Sequence, residues 1–141
     1  MSAPAAERTG SRPWSRVVLL GVAYCVIGTV TATLARGSHG VVVAWRLTAW
    51  ALSAVVFGAQ IWFEVRRSGC APVRAALRAA LAVAVGGLLL ALWATGHALS
   101  VHTARIVPQL IALVVWPVLL FVPAFLVAWL AAALLAARKG A

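Results

Sequence analysis

Six residues in this chain share a spacing that could carry chemistry. Arg46, Trp50, Ser53, Phe57, Gln60 and Glu64 recur at intervals of 4, 3, 4, 3 and 4, which puts all six on one face of an α-helix. They lie inside an apolar stretch, so the face is expected to turn toward other helices or a partner subunit rather than toward acyl chains. Such a face could line a path for an ion or a substrate. Depth limits that reading. Arg46 and Glu64 are eighteen residues apart, about 27 Å along a helix, and belong to opposite membrane surfaces.

Arg46 lies about 7 Å inside its end of the span, close enough to extend its guanidinium to the headgroups. Glu64 falls at the other boundary, three residues before Arg67, and the spacing predicts an ion pair between them. Only Ser53, Phe57 and Gln60 remain deep, and none ionises near neutral pH, so a proton relay lacks its carboxylate. The buried amide of Gln60 is read as fixing register between helices, with interhelical hydrogen bonds worth about 0.6–2 kcal/mol in membranes.

The other candidate ligands are histidines. His39, His97 and His102 are all expected near one membrane surface, and three imidazoles can hold a transition metal or ligate haem. His97 and His102 are five apart, off a common helical face, and no HxxxH pair occurs. No Asp or Glu is expected on that side to orient a ligating ring. The primary reading therefore has no cofactor. A haem, metal or quinone site is the alternative, and it predicts a bound group lost on His97→Ala.

The wider inventory argues against an enzyme. The chain has no Asp, and its two carboxylates are Glu7 and Glu64. It lacks a CxxC pair, a phosphate-cradling glycine loop and any nucleophile, base and acid set of the kind a hydrolase needs. Cys25 falls mid-span and Cys70 in a basic loop, at depths too different for a disulfide, so two free thiols are expected.

The elements that must position these residues are legible from hydropathy. Of 141 residues, 65% are hydrophobic and 10% charged, against roughly 25% charged in soluble domains. The mean hydropathy is +1.04. So few polar residues cannot cover a soluble core, and the expected class is an all-α polytopic integral membrane protein. The net charge of +10 then points to membrane orientation and anionic lipid headgroups rather than nucleic acid, since no basic domain outside the apolar runs could grip a duplex.

The expected plan is a basic disordered tail over 1–16, helices over about 17–35, 41–65, 79–101 and 108–137, and a basic tail over 138–141. Gly37 and Gly40 are available for the first turn, with Gly69 and Pro72 breaking the chain in the basic loop after the second helix. Pro117 and Pro123 are expected to kink the long fourth helix. Short connections favour antiparallel packing of sequential neighbours in an up-down-up-down bundle. Gly21, Cys25, Gly28 and Ala32, spaced 4, 3 and 4, form a small-residue stripe on the first helix. Gly86 and Gly87 offer a second small surface on the third. Trp14, Trp45 and Trp62 fall near expected interfaces.

Arg8, Arg12, Arg16, Arg66, Arg67, Arg74, Arg78, Arg138 and Lys139 group on one side, against Arg36, Arg46 and Arg105 on the other. Nine cations against three predict both termini in the cytoplasm. A cleavable signal peptide ending near Ala35 is the alternative for the first run, although that run exceeds the usual h-region. The alanine-, arginine- and tryptophan-rich composition suggests a GC-rich bacterial genome, hence a bacterial inner membrane. The functional expectation is a non-catalytic accessory, assembly or lipid-interacting subunit, with other membrane subunits or a second copy of itself as partners. A transporter or channel component using the Arg46–Glu64 face is the first alternative.

Overall fold

The computed structural model describes residues 12–100 and 106–138. Most of the expected N-terminal tail, the arginines Arg8 and Arg105, His102 and Lys139 lie outside the described residues. The fold is all-helical: α1 (Arg12–Leu34), α2 (His39–Arg66), α3 (Pro72–Ser100) and α4 (Ile106–Ala137). Each is long and apolar enough to cross a membrane.

Two boundaries change the chemistry. α3 starts at Pro72, so Arg74 and Arg78 stand on its first two turns and not in the preceding loop. Proline is preorganised for a first helical turn, and the Val-Arg-Ala-Ala-Leu-Arg run behind it is dominated by strong helix formers. Charge marks where a span ends, whereas propensity decides where a helix ends, and here the two differ. At the other boundary, Gly40 lies inside the first turn of α2. The α1–α2 turn is carried by Gly37 alone (φ 119°), and Gly69 (φ 60°) serves the α2–α3 connection. α4 runs as one helix through Pro117 and Pro123.

α3 is the central element. It packs most extensively against α4 and then α1, while α2 touches α1, α4 and, most lightly, α3; among the described residues α1 and α4 do not meet. The best-packed pair, α3–α4, joins chain neighbours, as the sequence leads one to expect, but the next, α1–α3, skips α2. The reason is local. Residues 21 and 28 of α1 face residues 82–90 of α3, where glycine on one helix admits side chains of the other.

Small residues fill the interior. Ala75, Ala76, Ala79, Ala80 and Ala82 of α3 and Ala128 and Ala132 of α4 are fully buried, and among the described residues no large side chain is. Ala75, Ala76, Ala79, Ala128 and Ala132 form one cluster with Ile61 and Val65 of α2, and Phe57, Phe125 and Leu135 pack against it. Alanine lets helix backbones approach closely, so packing contacts substitute for bulk. Apart from Val17, Ile61 and Val65, most large apolar side chains point outward: Leu19 is 67% exposed, Trp50 78% and Val55 69%.

Candidate functional site

The polar face of α2 divides into two halves with different surroundings. At the C-terminal half, Gln60 and Glu64 are buried, and Glu64 is only 4% exposed. The Glu64 carboxylate accepts a hydrogen bond from Nη1 of Arg78 at 2.8 Å, forming a salt bridge between α2 and α3. This replaces the expected Glu64–Arg67 pair. Arg67 caps α2, its N–H donating to the Phe63 carbonyl, and its side chain is exposed, whereas Glu64 faces α3.

The same contacts fasten the connection between the two helices. The Glu64 carbonyl accepts the N–H of Cys70 at 3.1 Å, and Nη1 of Arg78 also lies 3.4 Å from Cys70 Sγ. Glu64 thus holds the loop through its backbone and α3 through its side chain. On the opposite flank, the Arg16 guanidinium of α1 sits 4.9 Å from the centre of the Phe63 ring, a cation–π contact that ties α1 to the same end.

Burial, followed by the Glu64 carboxylate, pushes the Cys70 thiol above its ordinary pKa, with Arg78 and Arg74 opposing. A raised pKa leaves less thiolate at a given pH, and thiolate is the nucleophile. In a Cys25→Ala background, Cys70 is expected to alkylate with iodoacetamide at pH 8 several-fold more slowly than a free peptide cysteine. The difference is expected to close as pH rises. Alkylation as fast as the peptide would contradict the half-buried setting.

The N-terminal half of the face is open. Arg46 and Trp50 are exposed and Ser53 is half-buried, so within this chain only the part of the face from Phe57 to Glu64 packs against other helices, and the remainder is left open to a partner or lipid. Arg46 and Trp50 instead border a groove of about 320 Å³ between α1 and α2, lined also by Gly28, Thr31, Ala32, Ala35, Val42, Trp45 and Ala49. The Thr31 hydroxyl is satisfied within α1, donating to the Ile27 carbonyl at 2.6 Å.

The glycines of the two small-residue surfaces sit at close approaches. A Cβ on Gly21 would lie 2.9 Å from Val85 Cβ, and one on Gly86 would lie 2.6 Å from Tyr24 Cβ and 3.0 Å from the Gly21 carbonyl oxygen. Gly28 faces Leu90 of α3, and Gly87 faces Leu120 of α4. Cys25 is a half-buried free thiol whose carbonyl accepts the Thr29 hydroxyl. Ala32, the last member of the stripe, is exposed in the groove.

His39 is the first residue of α2, and His97 stacks on Trp93 one turn away, ring centres 5.9 Å apart. Among the described residues no three His, Cys, Asp or Glu side chains come together as a metal would require. Several participants are not singled out by spacing alone. Arg78 reads as a loop cation until α3 is known to begin at Pro72. The Ala75–Ala79–Ala82–Gly86 series of α3 has the same 4, 3, 4 rhythm as the α1 stripe and could be found by it. Tyr24, whose buried hydroxyl has no partner among the described residues, leaves no signal. Compared with known protein families, characterised proteins and solved structures, the chain matches none.

Proposed function

We propose that this chain is a multi-pass protein of a bacterial cytoplasmic membrane, a non-catalytic accessory or assembly subunit in contact with lipid and with other membrane proteins. The observation that carries the reading is the inverted distribution of apolar bulk: alanines inside, Leu, Val and Trp outside. In water that surface would far exceed the apolar patches a monomer tolerates. In lipid it is the expected partition. The one carboxylate among the described residues is committed to Arg78, so none of those residues offers a free acid to serve as a base.

An up-down-up-down course is supported by the order of contacts. Residues 16 and 63 meet at one end of α1–α2, and residues 31–35 share the groove with residues 42–50 at the other. Gly87 faces Leu120, while Ala75–Ala79 cluster with Ala128–Ala132. The excess of cations at the Arg16, Arg66 and Arg138 end supports cytoplasmic termini.

Single cysteines at Ser38 and Ser68, in a background lacking Cys25 and Cys70, test this in intact cells. An impermeant maleimide is expected to label Ser38→Cys from outside and Ser68→Cys only after lysis. The reverse pattern would invert the topology, and labelling of both in intact cells would end the four-span reading.

A transport path along α2 is the second reading, favoured by Gln60, whose side-chain oxygen is buried without a partner among the described residues. Gln60→Leu separates the two. A structural role predicts unchanged or slightly raised thermal stability, because an unpaired buried acceptor is removed. A transport role predicts lost flux in reconstituted vesicles with the fold intact.

A further inference from the structure

We infer that the groove between α1 and α2 binds an anionic phospholipid, its phosphodiester against Arg46 and the upper part of an acyl chain along the alanine floor. The inference rests on the membrane reading above and names one partner within it.

Four observations converge on that occupant. Ala32, Ala35 and Ala49 withdraw side-chain volume from one stretch of the α1–α2 seam and leave a groove of about 320 Å³, within the range of small-ligand sites. Arg46 lines it, and no ion pair or hydrogen bond of its guanidinium occurs among the described residues. Glu64, the only carboxylate among the described residues, is bound to Arg78 at the far end of α2, so no described carboxylate competes for Arg46. Trp45 and Trp50 line the same groove, and indoles favour headgroup level, where one edge is apolar and the other wet.

Geometry places the charge correctly. Arg46 is seven residues into α2, about 10 Å along the axis, and side chains on a helix lean toward its N-terminus. From that position the guanidinium has the reach to approach the end of α2 that begins at His39. That end is also the positive pole of the helix dipole, and its first turn holds no acidic residue. A guanidinium presents paired donors that match two phosphate oxygens. A zwitterionic choline lipid carries its own cation beside the phosphate and gains less.

The test is native mass spectrometry of the full chain released from nanodiscs containing equal amounts of phosphatidylglycerol and phosphatidylcholine with identical acyl chains. Wild type is expected to retain phosphatidylglycerol over phosphatidylcholine by about fivefold, the scale of one cation at a membrane surface. Arg46→Gln is expected to bring the ratio near one while helical content is kept. Ala49→Leu, which fills the floor and leaves Arg46 in place, is expected to reduce retention of both lipids. An unchanged ratio in Arg46→Gln would overturn the proposal, as would full retention in Ala49→Leu. Displacement of the lipid by millimolar inorganic phosphate would assign the groove to a soluble anion instead. A chain recovered outside the membrane fraction would end the membrane reading itself, whereas an embedded chain with no lipid preference would end only this one.

Discussion

Replacing Arg78 with methionine is expected to destabilise the bundle by about 3–5 kcal/mol, the usual cost of stranding a buried charge. Glu64 is 4% exposed and receives Arg78 at 2.8 Å. Without that partner the carboxylate remains in a setting that neither water nor lipid can solvate. Arg78 keeps 29% of its side chain exposed, so the loss should fall at the lower end of the range. The double variant Glu64→Leu/Arg78→Met is expected to recover most of the stability, because it removes the charge along with its partner. Thermal unfolding of wild type, both single variants and the double variant in mild detergent measures this cycle. Strict additivity would show that the two residues do not act as a pair.

Leucine at Gly86 is expected to produce the second large loss. Any Cβ there meets Tyr24 Cβ at 2.6 Å and the Gly21 carbonyl at 3.0 Å, so relief requires α1 and α3 to separate. Overpacking of this kind costs about 1–3 kcal/mol and occasionally more. Two glycines on other surfaces calibrate the result. A Cβ added at Gly58 would meet nothing within 4 Å, and Gly58→Ala is expected to gain about 0.5–1 kcal/mol from helix propensity alone. Gly87 meets only the tip of Leu120, a flexible methyl group that can rotate away, so Gly87→Ala should be nearly neutral. Melting temperatures ranked Gly58→Ala above wild type, Gly87→Ala close to it and Gly86→Leu well below would support the close α1–α3 packing. A Gly86→Leu variant as stable as wild type would remove it.

The four helices are legible in the sequence because each span is a long, nearly uncharged run, a signal that depends on composition rather than on tertiary context. The polar face of α2 is legible as a face, since 3.6-residue periodicity fixes which side chains are neighbours. Its surroundings are not. Periodicity does not say which helix lies opposite, so spacing pairs Glu64 with Arg67 where the fold supplies Arg78 across fourteen residues. The same gap conceals the groove, which exists because Ala32, Ala35 and Ala49 from two helices coincide. Alanine misleads for a further reason. It reads as filler in a hydropathy profile, yet here it fills the buried interior of the α3–α4 contact, and the residues with the largest transfer energies face outward.

The central claim, that small side chains face one another while large ones face lipid, is tested most directly by photolabelling in native membranes with a lipid-soluble diazirine and peptide mapping. Carbene insertion is expected along the outer face of α4, at Val118, Leu119, Val127 and Leu130, and at Leu19 and Val55. The buried Ala75–Ala82 stretch should stay largely unlabelled. Heavy labelling of Ala75–Ala82, with the outer residues of α4 protected, would contradict the account.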